Sequence, residues 1–208
     1  MYTLLKPIQI REELLKRGLR VFTAQEFRRI FDTTPDSTKY LLESQVRSGF
    51  LARLKRGIYT LSAEQPSEEE IANALYRPSY ISFEYALAYY HLLPEMPYTV
   101  TSATTKPTRL RTISNSAYSY KTIKKEAYTG YMLVKQDQRS FLIADKEKAL
   151  VDYFYFYTLH KSPANERLFE NLKSKEFFHR ELLDTEKIHR YAELFGNKQL
   201  LRFIATFL

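Results

Sequence analysis

The stretch VFTAQEFRRIFDTTPDSTKYLLESQVRSGFLARLKRGIYTL, residues 21–61, carries the punctuation of a helix, a tight turn, a second helix and a basic hairpin, in that order. Thr23 with Glu26 three positions later forms a capping box, and Phe22 is placed to staple against Phe27. The spacing therefore predicts a helix starting at Thr23 with Phe27, Ile30 and Phe31 inward. Asp32-Thr33-Thr34 makes the turn. Thr34 then caps a second helix whose first position is Pro35, where a missing N–H costs nothing. That helix is expected to run to about Ser48, and Gly49, tolerant of a left-handed backbone, ends it.

On the second helix, helical spacing puts Thr38, Leu42, Gln45 and Val46 on one side, with Leu41 at the margin. Ser37, Tyr40, Ser44 and Arg47 are left as a stripe on the other side, with Lys39 on the flank. A recognition helix needs such a stripe of short polar and basic groups to reach base edges. Residues 50–54 and 58–61 read as strands joined by Lys55-Arg56-Gly57, and with Arg53 the turn brings three cations to or near the hairpin tip. A further helix over residues 8–17, with Ile10, Leu14 and Leu15 inward and Gly18 after its end, completes three helices and a hairpin. That order reads as a winged helix-turn-helix.

Charge distribution agrees with a phosphate-binding role. Residues 1–62 hold 12 Lys and Arg against 6 Asp and Glu, whereas residues 63–208 hold 20 against 18. Most of the net charge of +8 thus lies in the first third of the 208-residue chain, on the helix-turn-helix pattern. With 44% hydrophobic residues the chain can bury two cores, and the polar segment 62–66 marks the expected boundary between domains 1–62 and 63–208. There is no cysteine, which excludes disulfides, thiolate metal sites and cysteine nucleophiles. No basic-then-apolar leader and no run of about 18 apolar residues occurs, so the expectation is a cytoplasmic protein.

The second half reads as α+β. Ser67 and Glu70 form another capping box, and Ser82 is expected to cap a short helix over residues 83–90. Residues 98–104, 117–123, 131–135 and 140–143 are β-prone, and their short connections predict a small, mostly antiparallel sheet. From Asp145 onward the pattern is helical, with breaks near Ser162-Pro163, Asp184 and Gly196-Asn197. Asp145 reads as a helix cap with Ala149, Leu150, Tyr153, Phe154 and Tyr157 buried, and Glu147 and Asp152 are expected on or beside the helix surface. In Tyr153-Phe154-Tyr155-Phe156-Tyr157 the rings point all round, which suits a central core helix better than base stacking.

With these residues in view, the chain resembles the AbiEi family of bacterial antitoxins. The matching segments are residues 22–61 ending in Arg56-Gly57-Ile58-Tyr59, then Pro78-Ser79-Tyr80-Ile81-Ser82-Phe83-Glu84-Tyr85-Ala86-Leu87, then Ile143-Ala144-Asp145-Lys146-Glu147-Lys148-Ala149-Leu150-Val151-Asp152. They cover the first three quarters of the chain. The resemblance implies a winged-helix repressor acting at inverted repeats in its own promoter, in a type IV toxin-antitoxin system of phage defence by abortive infection. It implies also a C-terminal domain that opposes a nucleotidyltransferase-like toxin without a stable complex.

Nothing in the sequence assembles an active site, and the expectation is a protein without catalytic residues, metal or cofactor. Asp145-Lys146-Glu147-Lys148 lacks the carboxylate two positions before Lys148 that a nuclease strand would need, since Lys146 stands there. His91, His160, His179 and His189 are far apart, and no Gly-x-Ser-x-Gly elbow or phosphate-cradling glycine loop is present. The DNA-contacting set expected from the sequence is Ser37, Lys39, Tyr40, Ser44, Arg47, Arg53, Lys55 and Arg56. Two other readings remain at this point: a ligand-responsive winged-helix transcription factor with an aromatic pocket in its C-terminal domain, and a nuclease targeted by the winged domain.

Overall fold

The computed structural model describes residues 5–113, 115–136, 139–159 and 183–208. The chain is α+β and divides into two compact units, residues 1–75 with 134–141, and residues 76–133 with 142–208. The expected break near Ser162-Pro163, and His160 and His179, lie outside the described residues.

The first unit runs α1 (Pro7–Lys16), β1 (Val21–Thr23), α2 (Ala24–Phe31), α3 (Pro35–Arg47), β2 (Leu51–Lys55), β3 (Ile58–Leu61) and α4 (Glu68–Leu75). The local signals act as their chemistry demands. Thr23 Oγ1 accepts from the Glu26 amide at 3.1 Å while the Glu26 carboxylate accepts from the Thr23 amide at 2.7 Å, so the box closes in both directions. Phe22 and Phe27 stack with ring centroids 5.9 Å apart. Asp32 takes φ 45° and ends α2, and Thr34 Oγ1 caps α3 by accepting from the Ser37 amide at 3.3 Å. The three strands form an antiparallel sheet in the order β1-β3-β2, with Phe22 and Arg53 both opposite Tyr59. Strand β1 is a feature the sequence reading did not contain, because three residues are too few to display alternation. Ile10, Leu14, Phe22, Phe27, Leu42, Leu51, Tyr59 and Leu61 make one buried core.

The second unit contains β4 (Ser79–Ile81), α5 (Phe83–Tyr89), β5 (Thr99–Thr104), β6 (Arg109–Ile113), β7 (Ser116–Thr122), α6 (Lys146–Leu159), α7 (Thr185–Leu194) and α8 (Lys198–Phe207). With β8 (Tyr131–Gln136) and β9 (Arg139–Ala144), whose stretch 134–141 is counted with the first unit, the sheet order is β6-β7-β5-β4-β9-β8. The expected mostly antiparallel sheet is corrected to a mixed one: β4 pairs β5 and β6 pairs β7 antiparallel, but β5 pairs β7, and β4 pairs β9, in parallel. A parallel neighbour normally requires a long crossover. Here β6 runs out along the edge and β7 returns between it and β5, so a short strand carries the chain back where a helix would otherwise be needed.

Helix α6 corrects a second expectation. Asp145 does cap it, accepting from the Lys148 amide at 2.8 Å, and Ala149, Leu150, Tyr153, Phe154 and Tyr157 are buried. Glu147 and Asp152, expected at the surface, are buried too, at 3% and 0% exposure. A helix enclosed on nearly every side has no solvated face on which to leave its charges, so they must find partners. Among the described residues no helix is long and apolar enough to cross a membrane.

Candidate nucleic-acid interface

Helix α3 is fastened to the first unit by its inward face. Thr38 and Leu42 are buried, and Thr38 Oγ1 donates to the Thr34 carbonyl at 2.8 Å and lies 2.6 Å from Thr33 Oγ1. The opposite face is open. Tyr40 is 68% exposed, a large ring with no apolar surface to cover it, and Arg47 and Lys39 are exposed as well. Ser37 and Ser44 stand half-buried on the flank, and Ser37 Oγ is already accepting from the Thr34 hydroxyl at 2.9 Å as part of the cap. Of the expected stripe, Tyr40 and Arg47 are therefore the more exposed, and the Ser37 oxygen takes part in the cap.

The exposed surface of α3 also carries Asp36 and Glu43, which the sequence reading left out. Two carboxylates beside Lys39 and Arg47 make this helix face nearly neutral. Asp36 sits in the first turn, where the helix dipole favours an anion, and Arg47 in the last, where it favours a cation. A surplus of positive charge in this region must then come chiefly from elements beside α3.

A groove of about 540 Å³ supplies it. It is bounded by α2, α3 and the β2–β3 hairpin, and it brings Arg28, Lys39, Arg53 and Arg56 together against one carboxylate, Glu43. The walls fall out of the local fold. The Gly57 carbonyl accepts from the Ala24 amide at 3.1 Å, tying the hairpin turn to the start of α2, while Gly57 itself takes φ 82° in the tight turn. The ladder shifts register between Arg53 and Lys55, so the two side chains are not related by simple strand alternation. Arg53 and Arg56 stay exposed. Lys55 does not project from the tip: its Nζ donates to the Leu75 carbonyl at 2.7 Å, at the end of α4, where a cation meets the negative pole of the helix.

The second unit holds a different kind of polar cluster, drawn from residues 78–87 and 143–152. Asp152, fully buried, accepts from Lys148 Nζ one turn earlier, from Ser82 Oγ at 2.7 Å and from Tyr80 OH at 3.0 Å. The Lys148 ammonium lies over the rings of Phe195 and Tyr80, 4.9 and 5.7 Å from their centroids. Burial pushes the Lys148 amine down and the Asp152 carboxyl up, and the pairing works against both shifts. All four side chains are closed off from solvent and matched to one another, so the cluster is a structural lock. Its geometry corrects the role expected for Ser82: the hydroxyl turns to Asp152, and Thr101 Oγ1 caps α5 instead by accepting from the Tyr85 amide at 3.2 Å.

No protein-family model and no characterised protein matches the sequence.

Proposed function

We propose that the first unit is a winged helix-turn-helix that binds double-stranded DNA, with α3 as the recognition helix and the β2–β3 hairpin as the wing. In this reading Tyr40 and Arg47 approach base edges, Ser37 and Ser44 line the flank, and Lys39, Arg53 and Arg56 hold the phosphate backbone. Lys55 braces the hairpin. The single observation that carries the reading is the groove lined by four cations from α2, α3 and the hairpin and by one carboxylate, on the helix that also carries the exposed ring of Tyr40. Phosphate contacts of this kind position a protein, and neighbouring base contacts then specify the sequence.

The family resemblance extends this to a transcriptional autorepressor and antitoxin. The protein acts in the cytoplasm on inverted repeats in its own promoter, and it opposes a nucleotidyltransferase-like toxin without a stable complex, in phage defence by abortive infection. The antitoxin role rests on the resemblance alone. Co-expression with the adjacent gene tests it: rescue of growth by the wild-type chain and by an Arg53→Ala/Arg56→Ala variant is expected. If the adjacent gene is not toxic, or if rescue is lost with the two arginines, the second unit is not the antitoxin.

A further inference from the structure

Residues 99–125 contain six Lys and Arg and no Asp or Glu. Lys121 is spent on Glu84, with both carboxylate oxygens within 3.0 Å. Three of the others are gathered by the edge strand β6 and the turn before it. Lys106 Nζ and the Arg109 guanidinium each lie 5.6 Å from the centroid of the Tyr76 ring. That ring is fixed in turn, with its hydroxyl donating to the Pro107 carbonyl at 3.0 Å and its edge against Tyr120 at 5.1 Å. Arg111 follows on the same face of β6 as Arg109, since they oppose Tyr118 and Tyr120 on β7, and its Nε is buried with no hydrogen-bond partner among the described residues. Among the described residues none of the three meets a carboxylate.

Cations drawn around one ring without a counter-ion repel one another, and an incoming anion relieves that repulsion. The spacing says what kind of anion. Arg109 and Arg111 are two residues apart on an extended strand, roughly 7 Å, so they present a row of charge along an open edge. One phosphate would use a single member of such a row. A chain of phosphates uses all of it, and the guanidinium forks are suited to phosphate oxygens. A duplex would have to admit the strand into a groove, whereas a single strand can lie along the edge.

We propose that the β6 edge of the second unit, through Lys106, Arg109 and Arg111, binds a single-stranded phosphodiester chain, RNA or DNA. This site is independent of the first unit's DNA-binding role. The test uses the full chain and fluorescent 20-nucleotide RNA and DNA single strands of mixed sequence, titrated at several salt concentrations. Lys106→Ala/Arg109→Ala is expected to lower single-strand affinity by roughly tenfold and to flatten the log-log salt slope by about 0.7 per lost contact, with the thermal midpoint unchanged. Arg53→Ala/Arg56→Ala, made in parallel, is expected to leave single-strand binding intact while reducing duplex binding, so each site fails or stands by itself. The RNA and DNA arms report which backbone is preferred. The proposal is overturned if Lys106→Ala/Arg109→Ala binds single strands like the wild type, if the Arg53/Arg56 pair accounts for that binding, or if poly-glutamate competes as well as either nucleic acid.

Discussion

Asp152→Ala is the sharpest test of the buried lock in the second unit. The substitution removes the acceptor for Lys148 Nζ, Tyr80 OH and Ser82 Oγ at once. Removing one partner of a buried ion pair typically costs about 3–5 kcal/mol, because the other charge is left without compensation. Each stranded hydroxyl adds about 1–3 kcal/mol if it finds no new partner. These terms share one site and do not add, and the cost is limited because a buried lysine amine can give up its proton; burial already pushes Lys148 in that direction. We expect a net loss of about 3–5 kcal/mol. In urea denaturation followed by tyrosine fluorescence, an m value of about 2–3 kcal/mol/M turns this into a midpoint lowered by roughly 1–2 M with m unchanged. The Lys148→Met/Asp152→Leu pair should recover most of the loss, since an apolar pair of similar volume removes the stranded charge. A loss below about 1 kcal/mol for Asp152→Ala, or a double variant as unstable as the single, would refute the argument that the pair is mutually compensated.

Tyr40→Ala should leave the thermal midpoint unchanged, because the ring is exposed, and should reduce discrimination between operator and random duplex by about 1–3 kcal/mol in competition binding. Lys55→Ala and Arg56→Ala should part company: the first lowers stability in thermal unfolding and largely spares the salt dependence of DNA binding, while the second flattens the log-log salt slope by about 0.9 with stability unchanged. Thr34→Ala should cost about 1 kcal/mol in chemical denaturation through loss of the α3 cap, whereas Thr34→Ser should cost little. Burial and the nearby Asp145 raise the Tyr90 phenol from 10.0 to about 12, so the folded state favours the protonated ring. Its contribution to stability is complete below the unfolded value and is lost as pH climbs from 10.0 to about 12; at alkaline pH, phenolate absorbance in the wild type should lag that of Tyr90→Phe plus one free tyrosine.

The elements of residues 21–61 were legible because their signals are local. Caps, a staple, a proline at the first helical position and a turn glycine act within five residues of themselves, and the chain obeys them wherever the rest lies. Side-chain destinations were less legible. Lys55 looked like a wing-tip cation, but its partner is a carbonyl twenty residues away, and Ser37 stands at the α3 cap, where its hydroxyl oxygen accepts from Thr34. Asp36 and Glu43 were open to the same helical wheel that placed Tyr40, and counting charge over that face would have found them. The mixed sheet was hidden because β6 is five residues of mostly polar character, with nothing in its composition to show that β7 returns inside it. Burial of Asp152 and Glu147 was hidden for a related reason: a helix enclosed on nearly every side loses the amphipathic period that would have marked its buried charges. The segments around Tyr80 and Lys148 lie far apart in the sequence, and in the fold they supply the four side chains of one hydrogen-bonded lock.

The central claim is that α3 and the hairpin of the first unit read DNA. The most direct measurement is fluorescence anisotropy of the full chain on a duplex from the region upstream of its own gene, against a scrambled duplex of the same length, with Tyr40→Ala and Arg53→Ala/Arg56→Ala in parallel. The account predicts tighter binding to the upstream duplex by a factor of roughly 10³ or more, with Tyr40→Ala narrowing that ratio and the arginine pair weakening both duplexes alike. Equal affinity for the two duplexes, or a ratio and salt slope untouched by all of these substitutions, would contradict it.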